Sequence, residues 1–138
     1  MDYKITSIEK HSDKRGQLVV FLRSSELKAN RKKFGQIYFI TFNKKNVVRG
    51  NHYHKKWREW FGVVHGSVKA ELEDVITGEH KTLVLSSKHN VYKRLEIGPN
   101  VAHAFKSMTP TASLLNYGDK EWSAKDRFFY DLFKKGKK

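Results

Sequence analysis

The chain contains no cysteine. Disulfides, zinc ribbons and thiol nucleophiles are therefore excluded, and any metal site has to be built from histidine and carboxylate. No apolar run approaches the roughly 20 residues of a membrane-spanning helix, and Met1-Asp2-Tyr3-Lys4-Ile5 lacks the apolar core of a signal peptide. Asn-x-Ser/Thr acceptor sites are missing as well. These absences predict a soluble, cytoplasmic protein without a membrane partner. Long repeats, low-complexity tracts and interdomain linkers are also lacking.

Negative charge is scarce: 14 Asp and Glu stand against 28 Lys and Arg, for a net charge of +14. Such an excess favours polyanions. The basic residues are nevertheless spread along the chain, clustering only at Lys28 to Lys33, Lys55 to Arg58 and Lys134 to Lys138. No helix-turn-helix, zinc-finger or RNA-recognition spacing accompanies them, so no specific nucleic-acid partner is expected. A nucleotide diphosphate is an anion that suits this background.

What is present reads as β-structure. At 138 residues the chain is one domain, and a chain of this size buries about 70% of its unfolded surface without staples. The expected limits are a single domain over residues 1–133 and a basic, disordered tail over 134–138. Short apolar or alternating segments separated by turn residues recur from Tyr3 to Tyr117, among them Gln17–Leu22, Phe34–Phe42, Glu59–Val64, Val68–Asp74, Val91–Ile97 and Val101–Phe105. Roughly ten such strands predict an all-β sandwich or barrel. Ser24 to Lys33, polar and without apolar periodicity, reads as a loop or a single helical turn. Phe128, Phe129, Leu132 and Phe133 recur at helical spacing behind a possible N-cap at Ser123, which predicts a short C-terminal helix over Ser123–Lys135.

The chemistry concentrates in Arg49-Gly50-Asn51-His52-Tyr53-His54, followed by Glu59 and Gly66. Histidines one residue apart on a strand share a face. If the strand carrying them pairs across a short turn with the strand that Glu59 opens, two imidazoles and a carboxylate meet. Such a set can bind a metal or move protons. Both readings stay open: as neutral metal ligands His52 and His54 are poor bases, whereas free rings make His52 the preferred base and His54 its acid or partner, with Glu59 orienting one ring.

The spacing of His52, His54, Glu59 and Gly66 resembles the first motif of the cupin superfamily, and Pro99-Asn100-Val101-Ala102-His103 resembles the second. That resemblance implies His52, His54, Glu59 and His103 as ligands of a divalent metal, zinc first. Asp13-x-Arg15-Gly16, Arg49-Gly50-x-His52, Leu85-Ser86, Asn90 and Pro99-x-x-Ala102-His103-Ala104-Phe105 are similar, in order and spacing, to the dTDP-4-dehydrorhamnose 3,5-epimerases. Two histidines in Arg49 to Lys55 are also similar to the dTDP-sugar 3,4-ketoisomerases. The local sequence with Glu59 resembles the cupin domain of capsular-polysaccharide UDP-hexulose reductases.

These resemblances imply an all-β cupin jelly roll, a homodimer, and an epimerase or ketoisomerase acting on a nucleotide-diphosphate 4-keto-6-deoxy sugar in cell-surface polysaccharide biosynthesis. They imply catalytic roles for His52, His54, Arg49 and Tyr117, and substrate contacts from Arg15, Arg49, Asn51, Tyr38 and Lys56. Departures are visible too. Asn46 stands where the first cupin motif carries a glycine, the epimerases have glutamine at the place of His54, and Tyr117 only approximates their acid tyrosine. The epimerases and ketoisomerases do without a metal. A metal-dependent dioxygenase or phosphosugar isomerase is the rival enzyme, and a sugar- or nucleotide-binding cupin without turnover is the rival non-enzyme. Tyr53 and Trp57 could stack a base or sugar ring; Trp60 and Phe61 read as packing groups, and His11, His65, His80 and His89 as structural or surface residues.

Overall fold

A computed structural model describes residues 1–28 and 33–133. Its strands run β1 Tyr3–Ile8, β2 Lys10–Asp13, β3 Gly16–Val19, β4 Gln36–Phe42, β5 Val48–Tyr53, β6 Glu59–His65, β7 Ser67–Asp74, β8 His80–Ser86, β9 Tyr92–Ile97, β10 Val101–Ser107, β11 Ala112–Gly118 and β12 Phe128–Phe129. One five-stranded antiparallel sheet has the order β1-β9-β6-β11-β4, a second has β12-β5-β10-β7-β8, and β2-β3 forms a separate hairpin. The inner faces supply the core, with Phe42, Phe61, Leu72, Leu95, Phe105 and Leu114 among its buried groups. This is the all-β sandwich that the alternating segments predict. Ser24–Glu26 forms the single helical turn expected between β3 and β4, and residues 29–32 of that stretch lie outside the described residues. Among the described residues no helix is long and apolar enough to cross a membrane.

Two expectations are corrected. First, β5 and β6 do not pair; they belong to opposite sheets. Glu59 therefore reaches the histidines across the sandwich interior and not along a shared ladder. Second, the short C-terminal helix is absent over its described part: Ala124–Asp126 is one 3-10 turn, and Phe128–Phe129 is a strand. An isolated helix of this length is marginal, and the free edge of β5 offers better partners. Phe128 pairs with Tyr53 and Phe129 with His52. Beyond them Tyr130 N donates to Asn51 O at 2.8 Å, Leu132 N donates to Asn51 Oδ1 at 3.0 Å, and Leu132 is buried beside Ala102 and Ala104. Ser123 does act as a cap, accepting from Lys125 N at 3.3 Å. Residues 134–138, expected to be disordered, lie outside the described set.

Gly50 and Asn51 bend β5 at the place that matters. His52 faces His103 on β10, but Gly50 faces Ala104, so Asn51 is the extra residue of a bulge. Asn51 has φ 58° and Gly50 φ 107°. A Cβ on Gly50 would sit 2.7 Å from the carbonyl oxygen of His103. Gly50→Ala is accordingly expected to cost about 1–3 kcal/mol of stability through backbone strain, measured by urea unfolding; an unchanged midpoint would mean that the bulge is not constrained.

Candidate active site

The bulge turns His52 toward His103 on the neighbouring strand. Their ring centroids are 4.9 Å apart at 84°, and His54, just past the end of β5, lies 5.0 Å from His52 and 5.9 Å from His103. One ligand atom from each histidine falls within 4.8 Å of the others. Glu59, at the start of β6, enters from the opposite sheet and is only 1% exposed. Its Oε2 stands 3.2 Å from His103 Nε2 and 3.7 Å from His54 Nε2, and Asn116 on β11 donates to its Oε1 at 3.4 Å.

The rings are oriented by backbone carbonyls, which can only accept. His103 donates from Nδ1 to Val101 O at 3.1 Å, and His54 donates from Nδ1 to Asp126 O. Both rings thus carry a proton on Nδ1 and turn Nε2 toward Glu59. The indole of Trp57 stacks on His54 at 4.6 Å and 15°; this Trp is 3% exposed, so it supports a histidine rather than offering a face to a ligand. His52 Nδ1 and His103 Nε2 are buried without a well-formed hydrogen bond.

A cavity of about 420 Å³ opens on this cluster, lined among others by Tyr38, Arg49, His52, Phe61, His103 and Arg127. Burial, reinforced by His103 and His54, pushes His52 down to about 3, so its ring is neutral. Burial also lowers His54 against the pull of Glu59. For Glu59 burial acts in the opposite sense, but His103, with Nε2 3.2 Å away, holds it below the usual carboxylate range. Tyr38 is pushed up by burial and by the charge of Glu59, and stays a protonated phenol. The cavity therefore presents a neutral imidazole, a phenol and two guanidinium groups above a buried carboxylate. Proton removal from a carbon acid next to an anionic group is chemistry that such a wall can serve.

The residues singled out from the sequence divide into two sets. Tyr38, Arg49, His52 and His103 line the cavity, with Glu59 beneath them and His54, 5% exposed, behind His52. Tyr117 lies elsewhere. Side chains alternate along β11, and Tyr117 faces away from the side that carries Asn116; its hydroxyl accepts from Gly35 N at 3.2 Å, and its ring packs on Trp60 and Phe34. Arg15 sits at the β2-β3 turn with 90% of its side chain exposed, paired with Asp13 at 2.5 Å. Asn51 spends its side-chain oxygen on Leu132 N. Lys56 lines a separate basic depression with Lys33, Lys55 and Lys120.

Sequence reasoning missed Asp126, Arg127 and Asn116. Asn116 carried a faint signal, a polar residue on the inward face of an apolar strand. Asp126 carried none, because its relation to His54 spans 72 residues, and Arg127 carried none, because only the fold brings it to the cavity.

The whole chain, residues 1–138, matches the family described as FdtA: WxcM-like, C-terminal. The chain belongs to this family. The FdtA-like fold recurs in solved structures. A double mutant of the 3,4-ketoisomerase QdtA from Thermoanaerobacterium thermosaccharolyticum, in complex with TDP, is 25% identical over 92% of this chain and 86% of that one, with a TM-score of 0.71. A 3,4-ketoisomerase from Helicobacter canadensis is 24% identical over 93% and 90%, with a TM-score of 0.74. The dTDP-4-dehydrorhamnose 3,5-epimerase of Bacillus anthracis, with TDP and PPi bound, superimposes at a TM-score of 0.82 over 97% of this chain and 81% of that one, at 18% identity. No curated protein matches the chain.

Proposed function

We propose that this FdtA-family protein isomerises a nucleotide-diphosphate 4-keto-6-deoxy sugar by moving a proton beside the carbonyl. The observation that carries the reading is the neutral His52 in a cavity walled by Arg49 and Arg127, in a chain similar to a ketoisomerase with TDP bound. His52 takes the proton from C3. Arg49 and the phenol of Tyr38 stabilise the enediolate, the proton returns to C4, and the C3 hydroxyl proton passes to O4, so the carbonyl ends at C3. General acid–base catalysis supplies about 10²–10⁴-fold, and the remainder falls to charge stabilisation by the arginines. Tyr38 takes the acid role that the resemblance gave to Tyr117. The histidine at position 54, where the epimerases carry glutamine, favours the ketoisomerase over the epimerase.

The finer setting is part of the same proposal: a dTDP- or UDP-linked sugar, cell-surface polysaccharide biosynthesis in the cytoplasm, and a homodimer. The dimer is supported by Ile37 and Phe39, 60% and 74% exposed on the outer face of edge strand β4. The Arg15 hairpin stands outside the chain's own cavity, where it serves a substrate only beside a second copy. Lys56, which lines a depression of its own, is assigned to the nucleotide end of the substrate.

A second reading is favoured by the ligand-forming distances among His52, His54 and His103. The unpartnered nitrogens of His52 and His103 fit a divalent cation such as zinc, with Glu59 as the carboxylate. These four residues would hold it, and the chemistry it supplies when bound is polarisation of the sugar carbonyl.

The test is isotope exchange. In deuterated water the protein is expected to incorporate deuterium beside the carbonyl of TDP- or UDP-4-keto-6-deoxyglucose, followed by NMR. A folded sample that exchanges neither substrate overturns the reading.

A further inference from the structure

The ring of His54 and the backbone that follows it are both tied to Asp126, far away in the sequence. The 3-10 turn over Ala124–Asp126 is closed by Asp126 N donating to Ser123 O at 3.0 Å. Immediately after it, β12 adds to the edge of β5. The turn is thus anchored on both sides, and Asp126 arrives beside the 54–56 backbone. Its carboxylate, 7% exposed as a residue, accepts from Lys55 N at 2.8 Å and from Lys56 N at 3.1 Å, while its backbone carbonyl takes the Nδ1 proton of His54. Bonds from backbone N–H to a carboxylate are the stronger, charge-assisted kind. One residue therefore sets both the path of the chain after His54 and the tautomer of its ring.

The ring has little other choice. Trp57 covers one face, and Glu59 Oε2 lies 3.7 Å from Nε2. With the proton committed to Nδ1, Nε2 is left bare on the side of Glu59 and His52. A flip of the ring, or a proton moved to Nε2, would remove that acceptor from the cluster.

We propose that Asp126 is a positioning residue for the proton transfer: it fixes His54 as the Nδ1–H tautomer and holds its ring against Trp57. The kinetic part rests on the isomerase reading given above; the tautomer part does not. The segment from Ser123 to Leu132 is accordingly part of the active-site scaffold rather than a terminal appendage.

The experiment combines ¹⁵N imidazole NMR of His54 with kinetics of Asp126→Ala and Asp126→Asn. The wild type is expected to show His54 as one tautomer with a slowly exchanging Nδ1 proton. In Asp126→Ala that proton exchanges fast and both tautomers appear, kcat falls about 10–100-fold, as for loss of other supporting hydrogen bonds, and KM stays within about twofold. Asp126→Asn keeps an acceptor for Lys55 N but sets an NH₂ group against Lys56 N, and is expected to fall between; it also serves if the alanine variant does not fold. A single Nδ1–H tautomer retained in both variants with unchanged kcat would overturn the proposal. A wild type that turns over no 4-keto sugar would sink the isomerase reading instead, and the NMR comparison would still decide the role of Asp126.

Discussion

His52→Asn is expected to lower deuterium exchange beside the sugar carbonyl by about 10²–10⁴-fold, the contribution of one positioned acid–base group, while the protein stays folded. His52 is the histidine that both lines the cavity and is held neutral. A neutral ring can accept a proton without first losing one. Asparagine is polar and smaller, and it keeps the bulge at Gly50 and Asn51 intact, since that is set by backbone conformation. The unfolding midpoint is therefore expected to move by only a few degrees, in contrast to the exchange rate. Single-turnover NMR in deuterated water with circular dichroism on the same sample makes the comparison. Exchange at more than a tenth of the wild-type rate would take the base role from His52 and give it to His54.

Glu59→Leu is expected to be the most destabilising of the single changes considered. The carboxylate is buried, receives Asn116 Nδ2 at 3.4 Å, and lies within 3.7 Å of two histidine nitrogens. Leucine fills a similar volume but leaves those groups facing hydrocarbon. Removing one member of a buried charged cluster costs about 3–5 kcal/mol, which for a chain of this size lowers the midpoint by roughly 10 °C or more.

The pH dependence follows from the same cluster. The folded-state value of His52, about 3, lies below its ordinary 6.5, so the unfolded chain binds a proton that the folded one refuses. The stability this contributes is complete above pH 6.5 and is lost as pH falls toward 3, at up to ~1.4 kcal/mol per pH unit. Glu59 is also held below its ordinary 4.5, and its contribution is present above pH 4.5 and lost below it. Wild-type stability should therefore begin to fall at about pH 6.5 and fall more steeply below about 4.5. His52→Asn should flatten the upper part of that decline. Thermal unfolding from pH 7 to 4 reads both, and identical slopes for variant and wild type would remove His52 as the source.

Local pattern carried a large part of this protein. Alternation in segments such as Val68 to Leu72 marks strands whichever strand they later pair with, because the two-residue period belongs to the backbone itself. The absence of cysteine confined any ligand set to histidine and carboxylate, and the resemblance of two motifs to the cupin pattern implied His52, His54, Glu59 and His103 as its members. What lay beyond the sequence was which segments become neighbours. That depends on contacts between residues tens of positions apart, and no local period encodes them.

Only the tertiary structure decided four points. Glu59 reaches the histidines from the opposite sheet, because β5 and β6 separate instead of pairing. Tyr117 shares a strand with Asn116 yet points away from it, because alternation sends neighbours to opposite faces. Helical spacing in Phe128 to Phe133 lost to the edge of β5, which takes Phe128 and Phe129 as ladder partners. That same edge pairing brings Asp126 to His54 and Arg127 to the cavity, so the residues that complete the site come from the stretch whose local pattern was most misleading.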